Sequence, residues 1–171
     1  MVGLHRKDMG ALGKRFVNTT VTAVATRPFT VRPKNKRFPG NKIKLSKTTC
    51  LLFNSGKLVI IGAKCFQEID ESLRELQDIL GHVTNIKLRN VVGTFHVGFK
   101  LDLYHLLYCL REAFYEPELF NGLTVKISTG ATCNVFHSGK VIVTGTRTFE
   151  SCDESINMIF GLINESEWTR M

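Results

Sequence analysis

The sequence predicts an α+β fold in which one unit is used twice, an antiparallel sheet carrying helices on one of its faces. The first observation is a repeat. FNSGKLVIIGAK, Phe53 to Lys64, returns 83 residues later as FHSGKVIVTGTR, Phe136 to Arg147, with five of twelve positions identical, where average amino-acid usage gives fewer than about one match. The second is that each copy runs from β-rich segments into an amphipathic helical segment, Phe66 to Leu80 and Phe149 to Ile163. The match extends downstream, since Phe66, Asp70, Glu71 and Ser72 recur as Phe149, Asp153, Glu154 and Ser155. Upstream the offset falls to 72, with NTTVTAVATRPFTV from Asn18 lying over NVVGTFHVGFKLDL from Asn90. The first copy is therefore 11 residues shorter than the second.

A chain of 171 residues is long enough for one full core, whereas halves of about 80 residues are each marginal alone. One fused domain over 16–171 is expected, with repeats of roughly 16–82 and 83–171 behind a basic arm over 1–15. Hydrophobic content of 43% with 22% charged residues is ordinary for a soluble protein, and no apolar run reaches membrane-spanning length. The opening MVGLHRKDMGALGKRF lacks the apolar centre of a signal peptide. Cysteines 50, 65, 109, 133 and 152 are odd in number and unpaired in spacing, which reads as reduced thiols in an intracellular protein.

Taken in order, each unit reads as a strand, a variable insert, two or three further strands and a helix. The first insert is short and basic. Between Arg27 and Lys47 lie eight Lys or Arg and no acid, which suits a polyanion; a solvated basic loop is the plain alternative. TTCLLFNSGKLVIIGAK then reads as two β-rich runs joined by a Gly-containing turn. In FQEIDESLRELQDIL, Phe66, Ile69, Leu73, Leu76 and Leu80 recur at three and four residues and predict one buried stripe. In the second unit DLYHLLYCLREAF, from Asp102, predicts a helix with Asp102 as N-cap, where the first unit has only RPKNKR. Phe149, Ile156, Ile159, Phe160 and Ile163 repeat the stripe in the last helix.

The net charge of +8 is segregated. Residues 66–80 and 148–171 each carry a net −4, leaving +16 on the rest. The hairpin strands add a second anomaly, because strands with one wet face alternate apolar and polar residues and these do not. Cys50, Leu52, Leu58 and Ile60 can face the helices, but Leu51, Phe53, Val59 and Ile61 then project together from the other face. About three helices cannot cover both faces. An apolar sheet face on a basic protein is a candidate binding surface, unless another subunit or a folded-over segment covers it.

YEPELFNGL, Tyr115 to Leu123, the two SGK hairpins, and TNIKLRNVVG, Thr84 to Gly93, together resemble the duplicated core of the TATA-box-binding protein family from about Asn18 to the C-terminus. The resemblance implies a saddle, a curved antiparallel sheet whose concave face takes the minor groove of DNA, with helices on the convex face. The family's sharp bend and phenylalanine wedging are carried over from the family itself. Its four intercalating phenylalanines fall on Phe38 and Phe53 in the first unit and Phe120 and Phe136 in the second. Separations of 15 and 16 residues also suit a long hairpin whose open end brings each pair together.

The resemblance further implies base-edge contacts from Asn18 and Asn90, which can donate to the acceptors that A·T pairs show in the minor groove. The threonines that partner them fall on Ile61 and Thr144, so the first unit departs there and reading is expected to be lopsided. Val59 and Ile142 line the groove, joined by Thr20, Val92 and Leu51, while Asn134 is polar where the family is apolar. Phosphate contact falls to Lys44, Lys57, Lys126 and Lys140, with Ser55 and Ser138 beside the turns. Glu116, Glu118 and Leu119 match the docking segment for a B-type (TFIIB-like) general transcription factor. The helix over 66–80, basic in the family where it meets the A-type factor, is acidic here.

The implied function is a transcription initiation factor that binds and bends double-stranded A/T-rich DNA and works with the RNA polymerase machinery. The implied place of action is a nucleus or another intracellular site of transcription, a viral factory included. A saddle-fold interaction module that does not bind DNA directly is the alternative. No membrane contact, cofactor, metal or catalytic role is expected. His105 and Cys109 lie four apart on one helix without a third ligand or base, and the adjacent carboxylates Asp70/Glu71 and Asp153/Glu154 point apart on a helix.

Overall fold

The structure is a computed structural model that describes residues 15–25 and 40–166, with side chains from Asn18 onward. Phe38, together with Lys34, Lys36 and Arg37 of the first insert, lies outside the described residues, as does the expected arm apart from Arg15. The elements are β1 (Arg15–Ala25), β2 (Gly40–Lys44), β3 (Thr49–Phe53), β4 (Lys57–Ala63), α1 (Phe66–Leu80), β5 (Val83–His96), α2 (Leu103–Cys109), β6 (Ala113–Phe114), β7 (Gly122–Lys126), β8 (Thr132–Phe136), β9 (Lys140–Thr146) and α3 (Phe149–Glu165). They divide into two compact units at Asn90/Val91.

In the first unit the strands run in the order β2-β3-β4-β1-β5, and in the second β6-β7-β8-β9-β5. Strand for strand, β2-β3-β4-β1 matches β7-β8-β9-β5, so the sequence repeat is a repeat of topology. The hairpins are antiparallel, pairing Cys50 with Ile60 and Leu52 with Leu58 in the first unit, and Cys133 with Val143 and Val135 with Val141 in the second. All eight side chains are at most 5% exposed, and each fully buried Leu, Ile or Val contributes roughly 1.5–3 kcal/mol. Both turns close in one way. Gly56 N–H donates to Phe53 O at 2.9 Å and Gly139 N–H to Phe136 O at 2.8 Å, with φ of 79° and 90° at the two glycines.

The helices cover the buried face. α1 packs on β4 through Ile69, Leu76 and Leu80, and α3 packs on β9 through Ile156, Ile159 and Ile163. A buried hydroxyl recurs in both. Ser72 Oγ lies 2.6 Å from Thr48 Oγ1 and donates to Glu68 O, while Ser155 Oγ lies 2.8 Å from Thr129 Oγ1 and donates to Ser151 O. Each pair ties a helix to the segment that precedes the first strand of its hairpin, β3 or β8, and each satisfies hydroxyls that would be costly to bury alone.

Two expectations are corrected. Phe66, expected on the buried stripe, is 54% exposed, whereas Phe149 at the matching position is 8% exposed. The helix starts differ: Thr148 and Ser151 form a full capping box on α3, but Cys65 makes no side-chain cap on α1. The helix expected from Asp102 to Phe114 does begin as expected, with Asp102 Oδ1 accepting from Tyr104 N–H at 3.0 Å and His105 N–H at 3.1 Å. It stops at Cys109. Ala113 and Phe114 instead pair with Val125 and Thr124 as β6, because a sheet edge offers their backbone groups partners that one more helical turn would have to forgo.

Candidate nucleic-acid interface

The period of two along a strand sends alternate side chains to opposite faces, and burial in the first unit follows that rule. Leu51, Phe53, Val59 and Ile61 are half-buried on the face away from α1, while their neighbours are core. Cross-strand pairing sets them in a row, with Lys42 opposite Leu51, Leu51 opposite Val59 and Val59 opposite Thr22. Ile61 lies opposite Thr20. Lys44, opposite Thr49, and Lys57, opposite Val24, share this face and are exposed. Ser55 is exposed in the turn beside Lys57.

Asn18 is exposed on β1, and its Oδ1 accepts from Gly62 N–H at 3.0 Å. A backbone N–H can only donate, so this contact identifies the oxygen and leaves the side-chain N–H₂ to serve as donor elsewhere. On the same unit Arg89 Nε donates to Thr22 Oγ1 at 2.9 Å, placing a guanidinium beside the Val59 row. Sequence reasoning passed over both Arg89 and Lys42. For Lys42 the signal was present: Lys42–Ile43–Lys44 alternates, and Ile43 pairs with core Cys50.

The second unit repeats the surface with different side chains. The row is Thr124, Asn134, Ile142 and Thr94, each opposite the next and each half-buried. Val92 and Asn90 are half-buried on β5. Thr144, in the place of Ile61, lies opposite Thr132 and donates from Oγ1 to its carbonyl at 3.3 Å. Lys126 and Lys140 are exposed opposite Thr132 and His96, and Ser138 is exposed in the turn. Phe120 and Phe136 meet edge to face, ring centroids 5.7 Å apart. Gly122 makes that possible, since a Cβ there would stand 2.7 Å from Phe120 Cε1 and 3.0 Å from Phe136 Cε1. A concavity of about 540 Å³ opens beside Phe136, lined in part by Ser138, Lys140 and Ile142.

Each unit thus presents apolar side chains, amide or hydroxyl donors and lysines on one sheet face. The same inventory suits an A·T minor groove, with an apolar floor, acceptors only on the base edges, and phosphates along both walls. Residues 20–83 and 85–166 match the family model described as "Transcription factor TFIID (or TATA-binding protein, TBP)". The chain belongs to the TATA-box-binding protein family. A TATA-box-binding protein of Methanosphaera stadtmanae is 37% identical over 123 residues, covering 66% of this chain and 67% of that protein. One of Methanobrevibacter smithii is 30% identical over 165 residues, covering 91% and 90%. The solved structure of Methanococcus jannaschii TBP shares the fold with a TM-score of 0.72 and 26% identity, over 89% of this chain and 98% of that one.

Within the family's frame the assigned residues take definite places. Phe53 is half-buried at the end of β3, opposite Gly40, while its expected partner Phe38 is outside the described residues. The acidic segment is a tight turn: Leu119 and Phe120 N–H both donate to Glu116 O, at 3.0 and 2.9 Å. That turn holds Glu116 and Glu118 exposed and leaves Leu119 81% exposed. His105 Nε2 and Cys109 Sγ are 3.3 Å apart on α2, and among the described residues no three His, Cys, Asp or Glu gather as metal ligands. The Cys50 and Cys133 thiols, buried under the sheet, are pushed up to about 11 and about 12 by loss of solvation and stay protonated at neutral pH.

Proposed function

We propose that this protein is a TATA-box-binding transcription initiation factor that takes A·T-rich DNA by its minor groove. The observation that carries the reading is the second unit's half-buried sheet face, which presents a converging phenylalanine pair together with Ile142, Thr144 and two exposed lysines. Rings pushed between base steps replace lost stacking with apolar contact and hold a kink. Asn18 supplies a donor for A·T acceptors, and Asn90 is the matching residue of the second repeat. Lys44, Lys57, Lys126 and Lys140 hold phosphates and set register without reading sequence.

Titration of a TATA duplex and a scrambled GC-rich duplex at several salt concentrations tests this. With four lysines displacing condensed cations, log K is expected to fall with log salt at a slope of about −4, roughly two-hundred-fold between 50 and 200 mM. A flat salt response with equal affinity for both duplexes sinks the DNA reading and favours an interaction module on the same fold.

The bound complex is further proposed to recruit a B-type general transcription factor through Glu116, Glu118 and Leu119, and through it RNA polymerase. Two exposed carboxylates around an exposed leucine suit a basic partner with an apolar pocket. Glu116→Arg with Glu118→Arg is expected to abolish the ternary complex and leave duplex affinity within about two-fold, since neither residue lies on the groove-facing strands. Persistence of the ternary complex in the double variant rules this surface out.

A further inference from the structure

The second unit's row keeps the apolar and threonine positions of the first, with Ile142 for Val59 and Thr94 for Thr22, and changes chemical character at the other pair. Where Leu51 lies opposite Lys42, the second unit has Asn134 opposite Thr124. Thr124 Oγ1 donates to Asn134 Oδ1 at 3.1 Å. With the carbonyl held, Asn134 keeps two N–H donors on Nδ2, and the structure gives them no acceptor among the described residues. The residue is half-buried beside Ile142 and shares β8 and its face with Phe136, two residues further on.

Among the described residues Asn134 Nδ2 is not a buried polar atom left without a partner, so its N–H donors reach solvent, and they need a new acceptor once a ligand covers this face. We propose that Asn134 is a base-reading residue that selects A·T pairs next to the step wedged by Phe120 and Phe136, with Thr124 as its positioning residue. The inference rests on the minor-groove reading above and adds a contact to it. A and T present only acceptors in that groove, adenine N3 and thymine O2, whereas guanine adds its N2 amine at the centre. An N–H donor held on the groove floor bonds the first pair type and opposes the second. Leu51 at the matching place in the first unit has no donor, so the discrimination belongs to the second unit only.

Site selection on a duplex randomised across an A·T-rich core, followed by titration of duplexes carrying A·T, inosine·C or G·C at the selected position, tests the assignment on the full chain. The wild type is expected to favour A·T and inosine·C over G·C there by about ten-fold or more, because inosine lacks the N2 amine. Asn134→Ala should erase that preference at this one position, leave the others unchanged, and melt within a few degrees of wild type. Thr124→Val should weaken the same preference without removing it. An unchanged selection profile in Asn134→Ala, or a uniform affinity loss at every position, overturns the proposal while the minor-groove reading stands. Absence of any A·T preference in the wild type overturns both together.

Discussion

Phe136→Ala is expected to lose between about ten-fold and a hundred-fold in affinity for an A·T-rich duplex, the equivalent of removing one buried aromatic contact of about 1.5–3 kcal/mol, together with most of the bend. Its fold should survive. The ring is half-buried, on the face away from α3, and its recorded ring contact is the edge-to-face pair with Phe120, itself 43% exposed. Losing such a pair and half an aromatic burial costs about 1–2 kcal/mol. Leu123→Ala is the comparison, since Leu123 is fully buried on the opposite face of the adjoining strand and its truncation costs about 2–5 kcal/mol. A bending assay and thermal melting on both variants separate the roles. If Phe136→Ala melts as early as Leu123→Ala, the ring is core and the two sheet faces have been exchanged.

The second large effect is on stability. Gly139→Ala should destabilise the chain by several kcal/mol, and by clearly more than Gly56→Ala at the equivalent turn. Both glycines have positive φ, 90° and 79°, where a side chain costs about 1–2 kcal/mol. They differ in space. A Cβ on Gly139 would fall 2.2 Å from Phe99 O, a backbone atom, whereas on Gly56 the nearest atom is Ala25 O at 3.3 Å. A backbone oxygen cannot rotate away as a side chain can, so the turn or the segment around Phe99 must shift and the Gly139 N–H bond to Phe136 O weakens. Chemical denaturation of the two variants checks the order, and equal losses would show that the turn relaxes freely around the added methyl.

Much of the fold was legible because its signals are local. The repeat located both hairpins and both long helices, and the pleat assigned Cys50, Leu52, Leu58 and Ile60 to the core and Leu51, Phe53, Val59 and Ile61 to the other face, where their burial places them. Asp102 announced a helix start for the same reason, since a cap bonds residues only two and three positions away. The end of α2 was not legible. It depends on Ala113 and Phe114 finding β7, a partner about ten residues downstream.

The site divides along the same line. The family resemblance nominated Phe120, Phe136, Ile142, Thr144 and the lysines for one surface, while the period of two by itself put Leu51, Phe53, Val59 and Ile61 on one face, because a strand carries its own alternation. Which side chains stand side by side depends on register between strands, and register is a property of pairs that no single strand encodes. Only the tertiary structure could show that Gly122 clears the space in which two phenylalanine rings meet. The same holds for Lys42, which continues the Leu51 row. The isolated asparagine at 134 is likewise one half of a bonded pair with Thr124, ten residues before it in the chain and directly across the sheet.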